Sequence, residues 1–355
     1  MKFFIQEQIE KIRYGFYSAV YFTRTQKILL QENNLQTVTM QIFQKNKAIV
    51  CGVDEVAELL KNCTGYFENN NWINKWNEIK VEAVKDGTEV APWEPVMHIT
   101  GPYAYFAHLE SVYLGIMARR TLIATNTKKV VKAAGNKEII FFADRFDYFA
   151  NQEGDGYAAT LAGVNGVATD AQGYWVNKKG IGTIPHALIA VHHGSTIDAA
   201  TAFAKQYPDV PLITLVDFDN DCIKTSLDVA TALKDKLYGI RIDTSEKLID
   251  KSLQERADKG EKNLNGVNPA LIKNVREALD NNGFNNVKII VSGGFTAEKI
   301  ETFEKESTPV DMYGVGSALL KGNNDYTADI VKVGDKEIAK VGRQFKPSKI
   351  LQVIA

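Results

Sequence analysis

Two segments near the end of the chain, VKIIVSGGF (287–295) and VDMYGVGSALL (310–320), decide the reading of the fold. Each opens with a short β-branched apolar run and breaks into glycine, the pattern of a buried strand followed by a tight turn. Between them TAEKIETFEKE (296–306) has helical spacing. A strand, a helix and a second strand within 35 residues imply parallel strands joined by a helical crossover.

The same rhythm extends backwards. KEIIFFADR (137–145) precedes a Gly/Ala-rich helical patch, and GIGTIPHAL (180–188) precedes the helical STIDAATAFAKQY (195–207). PLITLVDFDND (211–221) precedes CIKTSLDVATALKDKL (222–237), and YGIRIDTS (238–245) leads through a loop to NPALIKNVREALDNNGF (268–284). Such a series makes either a closed barrel or an open doubly wound sheet. Polar or glycine residues sit just after most of the strands, and a closed parallel barrel gathers these positions on one face. The barrel is therefore the favoured form.

Residues 1–115 read differently. YSAVYFTRTQKILLQE is helical. TVTMQIF, WNEIKVEAV and EPVMHITG read as strands, with Asp86-Gly87 as a hairpin turn, and YAYFAHLESVYLGIMARRT reads as an amphipathic helix. The tail TADIVKVGDKEIAKVGRQFKPSKILQVIA returns to a strand-like pattern that packs back on this N-terminal part. The expected architecture is α/β: a parallel α/β barrel (116–324) with a mixed N-terminal α+β part (1–115) joined by the C-terminal strands (325–355).

Bulk properties bound the function. With 355 residues and 45% hydrophobic content the chain can bury a sizeable core. A net charge of −1 argues against a general electrostatic grip on nucleic acid. Cys51, Cys63 and Cys222 lack any CxxC spacing, and an odd count suits a reducing, cytoplasmic setting. No stretch approaches the 18 apolar residues of a membrane span.

Four features carry chemistry. The glycine turns Ser292-Gly293-Gly294 and Gly314-Val315-Gly316-Ser317 lie at adjacent strand ends, where barrels often bind phosphate; glycine also makes tight turns for their own sake. Arg241 and Asp243 are two apart on one strand, so both face one side, as a ligand-holding couple or as a structural ion pair. Asp217 ends an apolar run as either a magnesium carboxylate or a helix cap. Three of the five histidines, His186, His192 and His193, fall within eight residues. Their spacings do not match the i, i+4 pattern of a helical metal pair. His186, at the converging face, is the reactive candidate.

Together these motifs resemble the type II phosphoribosyltransferases of the nicotinate and nicotinamide group, over about 14–342. YSAVYFTRT (17–25) is similar to the family segment whose tyrosine, here Tyr21, stacks on a pyridine ring across a dimer interface. FFADRF (141–146) gives Phe142 as the other stacking face and Arg145 as a substrate-side cation. GTIPHAL (182–188) corresponds to the phosphorylated-histidine segment, at His186. VDFDND and GIRIDTS give Asp217, Arg241 and Asp243. SGGF and GVGSAL give Ser292, Gly293, Gly294, Gly314, Gly316 and Ser317 as the phosphate turns. AGVNGVAT (162–169) carries Asn165 where many relatives have Asp near the base. The resemblance implies phosphoribosyl transfer from phosphoribosyl pyrophosphate to nicotinate in NAD synthesis. It implies an irregular parallel α/β barrel with an N-terminal α+β open-faced sandwich, ATP coupled through a phosphohistidine, Mg²⁺ with Asp217 and Asp243 as candidate ligands, and a homodimer with shared active sites. Nicotinamide or quinolinate as the base, with Arg119 and Arg120 supporting the latter, and a non-catalytic nucleotide-binding barrel are the alternatives.

Overall fold

A computed structural model describes residues 2–354 and divides the chain into two compact units. The first comprises 1–125, 157–162 and 322–355, and the second 126–156 and 163–321.

The first unit is built on a five-stranded antiparallel sheet. Tyr326–Val333 pairs with Thr37–Gln44, which pairs with Pro95–Pro102; Lys80–Ala83 and Gln352–Val353 complete the order. Both C-terminal strands thus return to the N-terminal sheet. Alternation along Thr37–Gln44 sends Met40 and Ile42 into an apolar core with Val56, Leu59 and Leu60 of the helix Val53–Cys63. Thr39 and Gln41 take the other face. There the buried Gln41 side chain meets His98 and the backbone of Gln344 and Lys346.

Three local expectations need correction. Asp86-Gly87 does not turn a hairpin: Lys80–Ala83 pairs with Pro95–Pro102, whereas Glu89–Val90 pairs with Ala48–Ile49. Asp86 instead accepts from the Val53 and Asp54 N–H groups that open the helix Val53–Cys63. YAYFAHL forms two 3₁₀ turns, and the helix itself runs Glu110–Ala134. Within that helix Arg120 is bound bidentately to buried Glu55, Nε–Oε2 2.8 Å and a terminal nitrogen to Oε1 3.2 Å. Leaving Glu55 without that cation would strand a buried charge, so Arg120 is held for the fold.

The second unit carries six parallel strands: β1 Glu138–Phe141, β2 Gly166–Val167, β3 Leu212–Leu215, β4 Leu237–Ile242, β5 Lys288–Val291 and β6 Met312–Val315. Their order is β3-β4-β5-β6-β1-β2, so the last strand lies beside the first and the sheet curls. GIGTIP, expected as a strand, is irregular. Its Ile181 N–H donates to Val167 of β2 (2.8 Å) and its Ile184 N–H to Ile213 of β3 (3.0 Å). The segment therefore spans the two open edges with one backbone bond to each. Pro185 has no N–H to extend the contact into a ladder. The parallel curl brings the C-terminal ends of the strands to one rim.

Candidate active site

The residues just beyond β1, β4, β5 and β6, with the 181–187 segment, line a cavity of about 520 Å³. That is room for a small-molecule ligand. Phe142, Arg145, His186, Arg241, Asp243, Ser292, Gly293, Gly294, Gly314, Gly316 and Ser317 all line it. Eleven expected residues from five separate segments thus share one hollow.

At its centre is a hydrogen-bonded network. Strand alternation in β4 aims Arg241 and then Asp243 inward. The Arg241 Nε donates to Ser292 Oγ (2.8 Å), and the Ser292 hydroxyl donates to Asp243 Oδ1 (2.7 Å). A terminal guanidinium nitrogen lies 3.4 Å from Asp243 Oδ2, and the other donates to Thr183 Oγ1 (3.0 Å). Burial pulls the Arg241 pKa below its ordinary value, opposed by the charges of Asp243 and Asp217. The guanidinium carbon sits 4.9 Å from the Phe142 ring centroid, a cation–π arrangement. Arg241 is therefore locked on three sides, with its plane fixed over an aromatic face.

His186 opens the short helix His186–Val191. Its Nε2 is 3.0 Å from Asp217 Oδ1; the Asp217 side chain is only 7% exposed and that of His186 42%. The hydrogen bond to Asp217 holds the His186 pKa above the usual histidine value against the opposing effect of burial. Asp217 reaches the cavity through His186 and is spent on that contact. This weighs against its reading as a magnesium ligand.

The glycine turns are unequal. Gly293 and Gly294 have φ of +95° and +65°, and a Cβ on Gly294 would meet open space. At Gly314 a Cβ would fall 2.5 Å from the Phe142 ring, and at Gly316 2.5 Å from the Phe146 ring. The second pair leaves room for aromatic rings. Thr183 and Phe146 are cavity residues that the motifs did not single out; Thr183 stands three residues before His186 on the closing segment.

Four residues singled out in the sequence lie elsewhere. Asn165 lies at the foot of the sheet, its Oδ1 accepting from Ile139 N–H at the start of β1 (3.0 Å), and it does not line the cavity. A strand-leading turn and a strand-ending turn look alike when both are rich in glycine. His192 caps the short helix and His193 adopts a φ of +56°, and neither lines the cavity. Tyr21 belongs to the first unit, on the helix Val20–Gln31, 64% exposed and tilted against Phe22.

For Mg²⁺, the acidic residues that line the cavity are Asp144 and Asp243. Among the described residues no three His, Cys, Asp or Glu gather as a metal cage. Magnesium commonly takes one or two carboxylates plus substrate phosphates. The donors here fit an ion carried by a polyphosphate, and they do not fit a resident one.

A family model described as quinolinate phosphoribosyl transferase, N-terminal domain, matches residues 19–121. The chain is similar to the solved structure of a nicotinate-nucleotide pyrophosphorylase from Pyrococcus furiosus, at 32% identity and a TM-score of 0.78, over 94% of this chain and 79% of that one. It is 28% identical over 256 residues to a nicotinate phosphoribosyltransferase of Mycobacterium tuberculosis, covering 71% of this chain and 52% of that protein. A nicotinate phosphoribosyltransferase of Bacillus subtilis is 25% identical over 301 residues, 78% of this chain and 56% of the relative. The chain thus spans about half the length of the curated relatives it matches. Order of motifs, curled parallel sheet and similarity along almost the whole chain agree: it belongs to the nicotinate/nicotinamide phosphoribosyltransferase family of type II phosphoribosyltransferases.

Proposed function

We propose that this chain is a nicotinate phosphoribosyltransferase that uses phosphoribosyl pyrophosphate and couples transfer to ATP through phosphorylation of His186. The observation that carries the reading is the single cavity in which His186–Asp217, the Arg241–Ser292–Asp243 network and the Gly293-Gly294 turn converge.

Breaking the bond from ribose C1 to pyrophosphate leaves positive charge on the sugar and negative charge on the leaving group. Asp243 faces the first, as a carboxylate that also orients ribose hydroxyls. Arg145 and Arg241 favour an anionic base, which supports nicotinate over nicotinamide. A pyridine nitrogen is already nucleophilic, so the ring needs orientation more than deprotonation. Phe142, under Arg241, gives it a flat seat, and Tyr21 from a second copy is proposed to cover the other face. Asp243 would hold a Mg²⁺ brought in with the substrate, and the ion would supply positive charge to offset the departing pyrophosphate. His186 attacks the γ-phosphorus of ATP, forming an N–P bond as the bond to ADP breaks. Asp217 stabilises the positive charge that the ring gains. Water later cleaves the N–P bond.

The test is incubation with phosphoribosyl pyrophosphate and nicotinate, nicotinamide or quinolinate, each with and without ATP, following mononucleotide and pyrophosphate. The reading expects nicotinate mononucleotide, with yield raised by ATP in the wild type and not in His186→Ala. A protein inert toward all three bases, or one stimulated by ATP without His186, would exclude it. Quinolinate is the second reading, favoured by the family model that matches residues 19–121. Carbon dioxide release in the same assay identifies it.

A further inference from the structure

The cations that line the cavity, Arg145 and Arg241, stand beside the Phe142 ring and Asp243. Lys299 stands at the glycine turn. It occupies the first turn of the helix Ala297–Lys305, directly after SGGF. Its ammonium donates to the Gly293 carbonyl (3.1 Å) and lies 4.3 Å from the centroid of the buried Phe295 ring, a cavity residue. No carboxylate among the described residues is within ion-pair distance of it. Glu246 and Asp243 act on it only from farther away, and burial pulls its pKa below the usual lysine value. A half-buried ammonium without a counter-ion is unfavourable unless something anionic completes it. Beside it are two left-handed glycines, one of them facing open space. Their backbone N–H groups and the first turn of the Ala297–Lys305 helix offer the rest of an anion cradle.

We infer that Lys299 is a substrate-binding residue whose ammonium completes the site for the 5′-phosphate of the phosphoribosyl donor at the Gly293-Gly294 turn. This rests on the proposed phosphoribosyl chemistry for the identity of the ligand, though the phosphate site can be tested without turnover. The contact is charge-assisted, and Lys299 also holds the Gly293 carbonyl that shapes the turn. Removal therefore weakens the sugar phosphate and leaves the pyridine largely unaffected.

The experiment is calorimetric titration of ribose 5-phosphate, with ribose as control, into wild type, Lys299→Met and Lys299→Arg, with circular dichroism confirming the fold of each. Loss of a charged hydrogen bond should weaken ribose 5-phosphate about 10- to 100-fold in Lys299→Met. Lys299→Arg should recover most of that affinity. Where turnover is measurable, the KM for phosphoribosyl pyrophosphate should rise by a similar factor in Lys299→Met, with the KM for the base within about twofold. Equal ribose 5-phosphate affinity in wild type and a folded Lys299→Met would overturn the assignment. So would equal rises in both KM values. A protein that binds ribose 5-phosphate through Lys299 yet transfers nothing would retain this inference and sink the proposed reaction.

Discussion

Asp217 and His186 show how far single residues were legible. An aspartate ending an apolar strand reads from sequence as either a ligand or a cap. In the fold its carboxylate is held against the imidazole, a partnership that neither reading names. That partnership between residues 31 apart is set by where two segments meet at the rim, which local spacing does not encode. Arg241 and Asp243 were legible because period-two alternation needs no tertiary information, whereas the link through Ser292 needed β5 to lie beside β4. The Asp217 bond also fixes a measurable quantity. Asp217 raises the His186 pKa, so Asp217→Asn should lower the His186 midpoint toward or below the ordinary histidine value. Titrating the His186 ring protons by NMR reads this directly. A midpoint that does not move would show that the carboxylate is not the cause.

At the scale of elements, the strand–helix alternation from β3 to β6 was readable because each strand is a short apolar run ended by polar or glycine residues. The closing segment was misread as a strand. Its composition is strand-like, but Gly182 and Pro185 leave only Ile181 and Ile184 to bond the sheet edges. Ile184 is fully buried, so its side chain anchors the segment as well as its N–H. Ile184→Ala should destabilise the second unit by about 2–5 kcal/mol, the usual range for a buried truncation to alanine. It should also loosen Thr183, next in the chain, and with it the third tether on Arg241. Urea unfolding monitored by far-UV circular dichroism gives the first effect. A loss below about 1 kcal/mol would mean that the segment is held by something other than this residue.

For the whole molecule, the return of the C-terminal strands to the N-terminal sheet was visible in the alternation of the tail, and pairing confirms it. Less visible were half-buried acids in the first unit. Asp86 accepts from Val53 N–H (2.8 Å) and from the Tyr157 hydroxyl (3.0 Å), and burial raises its pKa to about 6. Burial also raises Glu110 to about 7, against the bond that Tyr103 donates. An acid with a raised folded-state pKa favours the fold when protonated. That contribution is complete below the ordinary values of 3.8 and 4.5 and is lost as pH rises through about 6 to 7. His98 and His108, both pushed down by burial, have the opposite effect as pH falls below 6.5. The double variant Asp86→Asn, Glu110→Gln removes only the carboxylate part. Its melting temperature relative to wild type should rise between pH 5 and pH 8, and scanning calorimetry across that range checks it. A difference independent of pH would show that neither acid titrates there.

The missing Cβ at Gly314 has a consequence for selectivity. The vacancy is occupied by one edge of the Phe142 ring, so one methyl group placed there would tilt the proposed seat of the pyridine and leave the sugar end of the pocket as it was. Gly314→Ala should accordingly raise the KM for the base at least fivefold more than that for phosphoribosyl pyrophosphate, the reverse of the pattern expected for Lys299, and steady-state kinetics with each substrate varied in turn would read it. Two glycine turns that look interchangeable on paper would then prove to govern opposite ends of the same reaction.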